Sequence, residues 1–576
     1  MRLSRVVVVL VLLVLVAGAW LGWKAWQINR DLSEAVDDAA RLQVAAQAGD
    51  DAGVQEALDS LREHSGSAAD RTAGWDWSVV AHFPVVGDDA RGVRLVSDVV
   101  HELSETGLED LASTLPQINQ LVPRDGGIPV DVLKDLTGPV ATARTALVDA
   151  EDRLDREDSS GYVDRLRTKY RDLSRQVSTA ADSLAAADRA LGVLPSMLGD
   201  GETRNYLLVF QNNAEIRSTG GLPGAISLVT ARDGQLTLGR QAPASSFGVT
   251  PQSVLPLSPA EKKLYGSGLG RFMLSVNQTP DFPRTAELAR AHWNRVYDDQ
   301  IDGVLSLDPV AISYLLSSIP PVQVGDLVLT EDNVVDELLH GVYLRYEDPV
   351  EQDAFLQEVV KQVFASLTGG GDATGLLRGL SRAADEGRVY VHSFDTAEQS
   401  QFADTQVAGE LRTDPEPNPE VNVTLSDTTG AKMSYYLRYR VRVRATYCTS
   451  GTQGYSASAT LRSDAPADAA SLPDYITGGG QYGIEPGSQL VVVRFFAPIG
   501  GSLTDLQLNS RKLDPALVDQ DGRQVGTAVV QLDPGQTVNL SWKMTSGPDQ
   551  TSSTRVTVSP GIEPVDASSR VPSACG

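Results

Sequence analysis

The chain has 576 residues, 49 of them Lys or Arg and 75 Asp or Glu, for a formal charge of −26. That length exceeds what one hydrophobic core supports, so roughly two to four domains are expected. So acidic a balance excludes sequence-independent attraction to nucleic acid, because there is no excess of cations to replace phosphate counterions.

The N-terminus "MRLSRVVVVLVLLVLVAGAWLGWKAW" places Arg2 and Arg5 ahead of an uncharged, mostly apolar run from Val6 to Trp23. Such a run is just long enough to cross a bilayer, and the leading arginines orient it with the N-terminus in the cytoplasm. Residues 1–27 therefore read as a cytoplasmic stub and a transmembrane helix that anchors a single-pass cell-membrane protein, its bulk extracytoplasmic. The small residues Ala17 to Ala19 support the rival reading of a cleaved signal peptide. Hydrophobicity that continues through Trp20 and Trp23 favours the retained anchor.

Residues 28–197 are rich in Ala, Leu, Asp, Glu and Arg, with apolar residues three and four apart, as in "YVDRLRTKYRDLSRQVSTAADSLAAADRAL". That is the period of amphipathic helices, and breaks such as "FPVVGDD" and "VPRDGGIP" divide them into an elongated α-helical bundle, a stalk. From residue 198 to 412 the pattern changes. "NYLLVF", "AISLV" and "QLTLG" read as strands, "PRTAELARAHWNRVY" as a helix, "IDGVLSLD" as another strand, and Asp308-Pro309 as the cap and first turn of a following helix. A mixed α/β domain is the economical arrangement.

The proline-rich stretch "RTDPEPNPE", residues 412 to 420, marks a linker. Short strands with turn signals follow through 413–562, as in "EVNVTLSD", "QLVVVRFFAP" and "TRVTVSP", and predict a β-sandwich of the immunoglobulin-like kind. Residues 563–576 form a tail. The two cysteines, Cys448 and Cys575, are permitted to pair by an outward location, and a disulfide would tie that tail to the sandwich. No C-x-x-C or Cys/His spacing marks a zinc site.

Two stretches carry candidate chemistry. In "NNAEIRSTGG", residues 212 to 221, Glu215 and Arg217 stand two apart beyond the strand "NYLLVF", where open α/β sheets place their ligand crevice. Gly220 and Gly221 permit positive φ and close approach of a ligand, and the Arg217 fork suits phosphate or carboxylate. The same residues read equally as an Arg–Glu pair closing a loop. In "LRYRVRVRATYC", alternation puts Arg438, Arg440, Arg442 and Arg444 on one strand face, with Leu437, Tyr439, Val441 and Val443 on the other. Such a row binds an anionic polymer or meets carboxylates on neighbouring strands.

The span from Arg204 to about Thr368 resembles the LytR–CpsA–Psr family of membrane-anchored envelope enzymes, through "VFQNNAEIR", "GAISLV", "DDQIDGVLSLDPVAISYLLSSIPPVQV" and the helices from "LTEDNVVDELL" to "VVKQVFASL". With "RNYLLVFQNNAEIRSTGG", the stalk and the trailing β domain, the whole chain looks more specifically like actinobacterial envelope proteins carrying domain of unknown function 4012, a name that implies no activity. The LytR–CpsA–Psr resemblance implies transfer of a polymer from a polyprenyl diphosphate to a wall acceptor, with arginines on the diphosphate and a carboxylate-held Mg²⁺. Glu215 and Arg217 match that family's Asp-x-Arg pair. "LPG" at Leu222 to Gly224 replaces its Arg-Ser-Asp, and Arg345 is what remains of a later Arg-x-Arg pair. Arg284 is a candidate replacement cation, and Asp348 and Asp353 complete an acidic rim, so the implied metal set is Glu215, Asp348 and Asp353.

Three functions are therefore expected. The first is an envelope protein that engages lipid-linked or wall glycopolymers with little or no catalysis, through an anion site of Arg217, Gly220, Gly221, Arg284 and Arg345. The second is a Mg²⁺-dependent glycopolymer phosphotransferase acting through Glu215 and Arg217. The third is a structural scaffold of an envelope complex. Fold likeness alone does not choose among them.

Overall fold

Alanine, leucine and valine recur three and four residues apart through the first third of the chain, and there the backbone winds into long helices. A computed structural model describes residues 2–84, 86–123, 126–563 and 568–575; the side chains of residues 2–19, 47, 115, 116, 119 and 568 are outside that description. The chain divides into two units, one of residues 1–122 and 129–196, the other of residues 123–128 and 197–576.

The first unit contains helices α1 (Arg2–Ala48), α2 (Asp51–Ala73), α3 (Trp75–Val80), α4 (Gly87–Glu102), α5 (Leu108–Ile118), α6 (Val130–Asp155) and α7 (Asp164–Met197). Each turns one apolar stripe inward. Val99 of α4, Leu147 and Leu154 of α6, and Tyr170 and Val177 of α7 share one core. Ionisable groups inside the bundle are paired. Buried Asp38 accepts from Ser60 at 3.0 Å and lies 2.7 Å from Nδ1 of His64.

The expected transmembrane helix and single-pass localisation are corrected by this structure. Among the described residues, no helix is long and apolar enough to cross a membrane. The described part of α1 carries Lys24, Arg30, Asp31, Glu34, Asp37 and Asp38, and charges at that density are not accommodated in a hydrocarbon core. The side chains of the apolar run up to Ala19 are outside the described residues.

The second unit begins with a mixed sheet. Its strands are β1 (Thr203–Arg217), β2 (Gly220–Arg232), β3 (Gln235–Pro243), β4 (Gly303–Leu307) and, after a small hairpin of β5 (Val322–Val324) and β6 (Leu327–Leu329), β7 (Val389–Ser393). Among the described residues the order is β3-β2-β1-β4-β7, with β1 and β4 parallel and the other neighbours antiparallel. Asp308 caps the helix Pro309–Leu316, its carboxylate accepting from the Ala311 amide at 2.7 Å.

The sandwich follows in the same unit. Its strands are β8 (Glu420–Asp427), β9 (Leu437–Thr449), β10 (Thr452–Ser463), β11 (Gln489–Phe496), β12 (Ser502–Leu508), β13 (Arg511–Lys512), β14 (Val518–Gln520), β15 (Arg523–Leu532), β16 (Thr537–Thr545), β17 (Thr554–Val558) and β18 (Ser568–Val571). They form two sheets, ordered β13-β12-β16-β10-β9 and β14-β15-β11-β8-β17-β18 among the described residues. Alternate residues from both sheets fill one core, in which Phe495 and Trp542 pack with ring centroids 4.4 Å apart. β9 and β18 end their respective sheets.

Candidate functional site

The stretch "NNAEIRSTGG" is not a loop beyond a strand end. β1 continues to Arg217 and β2 starts at Gly220, leaving Ser218 and Thr219 as the turn. Asn212 faces Leu222 and Ile216 faces Gly221, so Asn213, Ala214 and Glu215 bulge out of the ladder. Gly221 is required by that bulge. A Cβ there would stand 2.2 Å from the Asn212 carbonyl carbon and 2.5 Å from the Asn213 nitrogen. The close approach expected of a ligand is made by the chain's own backbone.

The hairpin tip is built into the sandwich. Ile216 is a member of the sandwich core, and the Ser218 carbonyl accepts from Ser559 at 2.8 Å. Glu215 and Arg217 flank Ile216 and are 5% and 6% exposed. Arg217 Nη2 donates to Glu215 at 2.5 Å, and Lys432 from the loop after β8 donates to the other carboxylate oxygen at 2.6 Å. Arg217 Nη1 donates to the carbonyls of Ile216 and Asp427, each at 3.0 Å. Asp427 holds the loop, accepting from the Thr429 hydroxyl at 2.6 Å and from the Thr429 and Gly430 amides at 2.9 and 3.0 Å. Rings of Tyr475 and Tyr343 stand 5.4 and 5.9 Å from the Lys432 ammonium.

Electrostatics follow from that closure. Burial alone would raise the Glu215 pKa, but Lys432 and Arg217 outweigh it and hold the carboxyl below its usual range. Burial is the largest influence on Lys432 and lowers its pKa, but Glu215, Tyr343 and Tyr475 together outweigh it, so the ammonium stays charged. Asp427 is pushed up by burial and then by the negative charge of Glu215, against the opposing pull of Arg217. Two acids and two bases thus neutralise one another in the interior. The pair expected to grip phosphate is an internal ion network that fastens the α/β hairpin to the sandwich.

The other expected site residues do not join it. Arg284 donates to Glu261 at 2.8 Å, to Glu287 at 2.8 Å and to the Pro256 carbonyl at 2.6 Å. Arg345 pairs with Glu337 at 2.6 Å. Asp348 is the N-cap of the helix Pro349–Thr368, accepting from the Val350 amide at 2.9 Å, and Asp353 is half-buried with its pKa raised by burial. Gly220 has φ 131° at the start of β2. Among the described residues no group of three or more His, Cys, Asp or Glu is placed to hold a metal ion. Glu215, Asp348 and Asp353 therefore do not fit as a Mg²⁺ site: two cations occupy Glu215, and an amide occupies Asp348.

The arginine row presents a different surface. Arg440, Arg442 and Arg444 are exposed on the outer face of β9, opposite Thr460, Ser458 and Ser456 of β10. None of the three meets a carboxylate among the described residues. Arg438 differs: its guanidinium lies 2.7 Å from Glu563 and 3.5 Å from Asp464. The alternate residues Tyr439, Val441 and Val443 pack half-buried against the sandwich core. A cleft of about 1170 Å³ runs along this edge, lined by β9, by Ser456, Ser458 and Ser541, by Val556 and Val558 of β17, and by Ser569 to Pro572 around the end of β18. Cys448, near the end of β9, is disulfide-bonded to Cys575, with Cα atoms 4.9 Å apart.

Sequence reasoning missed Lys432 and Asp427. Lys432 carries no local signal, since it sits in a short loop and meets its partner 217 positions away. No curated protein matches the chain. Residues 201–343, from just before β1 to the tyrosine that faces Lys432, match the family model described as protein of unknown function (DUF4012).

Proposed function

We propose that the protein engages an anionic glycopolymer without transforming it, and that the row Arg440, Arg442 and Arg444 is the surface that does so. The observation that carries this reading is three exposed guanidinium groups with no carboxylate partner among the described residues, on a chain of charge −26. Carboxylates are plentiful elsewhere, so the lack of one beside these three arginines among the described residues leaves the cations available. Alternate residues of a strand lie about 7 Å apart, so the row offers charge as a line, matched to a chain-like anion. The resemblance of the α/β span to LytR–CpsA–Psr proteins supplies the polymer class. The closed state of Glu215 and Arg217 supports binding over transfer, because a diphosphate needs cations that are not already neutralised.

The test is titration of the full chain with polygalacturonate, with neutral dextran as control, at low and high ionic strength. Binding of the polyanion alone, weakened by salt, is expected. Replacing Arg440, Arg442 and Arg444 together by serine removes three exposed ion pairs and should weaken binding roughly a hundredfold. Unchanged affinity in that variant refutes the reading. Mg²⁺-dependent phosphate release from a polyprenyl diphosphate substrate, lost in Arg217→Ala, would overturn the non-catalytic part.

A further inference from the structure

The tail strand β18 holds Arg570 in an electrostatically unfavourable place. Arg570 stands directly opposite Arg555 of β17 in an antiparallel register, and like charges at such a position repel. Arg555 is answered, donating to Gln406 at 2.5 Å and lying 4.0 Å from Glu420. Arg570 is exposed and meets no carboxylate among the described residues. Burial lowers the pKa of Arg555, Glu420 opposes it, and the charges of Arg412 and Arg570 add to the lowering. A charge kept at such a position calls for an anion from outside.

The same residue lines the cleft that Arg440, Arg442 and Arg444 line from β9. Both strands carry arginine at this cleft, and the chain fastens them together. Cys575 and Cys448, a few residues beyond Arg570 and Arg444, are covalently joined. The Ala574 amide also donates to Gln453 at 3.0 Å, and the Ser573 hydroxyl to the Thr551 carbonyl at 2.5 Å. The acid in the lining, Glu563, is engaged by Arg438.

We propose that Arg570 is a further ligand-binding residue, and that the Cys448–Cys575 disulfide holds it in place as the second cationic rim of the cleft, so that the polymer is gripped from both edges. This rests on the reading of the arginine row as a glycopolymer site. It makes the tail a working part of that site, and makes the grip sensitive to a dithiol reductant.

The experiment measures polygalacturonate affinity of the full chain in four forms: unmodified, Arg570→Ala, the pair Cys448→Ser with Cys575→Ser, and all three changes together. Circular dichroism checks that each form keeps the fold. Arg570→Ala should bind roughly fivefold more weakly, the effect of one exposed ion pair. The cysteine pair should lose a comparable factor, and adding Arg570→Ala to it should change nothing more. If Arg570→Ala binds as the unmodified chain does while the β9 triple variant is weakened, Arg570 is no part of the site and only the row survives. If the two losses multiply in full, the disulfide does not act through Arg570 and the proposal fails. If the variant lacking Arg440, Arg442 and Arg444 keeps full affinity, the underlying reading falls and this inference with it. Polyglutamate bound in preference to polygalacturonate would overturn the glycopolymer in favour of an acidic polypeptide.

Discussion

Replacing Lys432 by methionine removes one charge from the buried network and leaves most of the side-chain volume against Tyr343 and Tyr475. The ammonium lies 2.6 Å from a Glu215 oxygen, and both side chains are within a few per cent of full burial. Removing one member of a buried pair strands its partner, at a cost of about 3–5 kcal/mol. Arg217 remains 2.5 Å from the same carboxylate, so the lower end, about 3 kcal/mol, is expected. Glu215→Gln alone leaves two cations without their anion and should cost at least as much. The double variant Glu215→Gln with Lys432→Met should cost less than the sum by about 2 kcal/mol, since the charges removed compensate each other. Urea unfolding of the full chain, followed by near-ultraviolet circular dichroism, reads these values from the midpoint of the transition that carries the sandwich. A Lys432→Met variant within about 0.5 kcal/mol of the parent, below any named mechanism for a buried charge, would refute the view that this network joins hairpin to sandwich.

Other consequences are equally open to measurement. Gly221→Ala forces a Cβ to 2.2 Å from the bulge backbone; it should destabilise by more than about 3 kcal/mol, whereas Gly201→Ala, with open space around it, should cost only about 1 kcal/mol from its positive φ. Burial pushes the Asp281 carboxyl up to about 7, with Glu410, Glu287 and Asp521 adding to it and the Leu411 amide opposing. A raised folded value means stability that is complete below the unfolded value near 3.8 and lost as pH rises through 7. Asp281→Asn should flatten the stability profile between those limits, and parallel profiles would exclude the assignment. Glu215 has the opposite sign: its contribution is present above its unfolded value of 4.5 and disappears as pH falls, so Glu215→Gln should blunt the acid limb of unfolding. Reduction of the disulfide, which spans 127 positions, should lower sandwich stability by about 2–5 kcal/mol; an unchanged urea midpoint under reductant would contradict that.

Local chemistry made much of the architecture readable. The three- and four-residue spacing before residue 197 describes helices because a helix must turn one stripe inward to be stable in water. Alternation in "LRYRVRVR" assigns Arg440, Arg442 and Arg444 to one face of β9 because strand geometry allows nothing else. The Asp308-Pro309 pair signals a helix start because its cap and its missing amide act within one turn. The N-terminal run reads as a bilayer span from hydropathy, whereas among the described residues no helix is long and apolar enough to cross a membrane.

The candidate site is where sequence reasoning stops. Glu215 and Arg217 look alike on paper whether they face a ligand or the interior, and Lys432, which decides between the two, lies 217 positions away. Arg570 gains its meaning from a strand register and a disulfide that place it beside a row more than a hundred residues earlier. Periodicity is a property of neighbours along the chain, so the sequence by itself determined the elements and their faces. Charge pairing depends on distance through space, so the tertiary structure alone decided which charges are spent inside and which remain exposed.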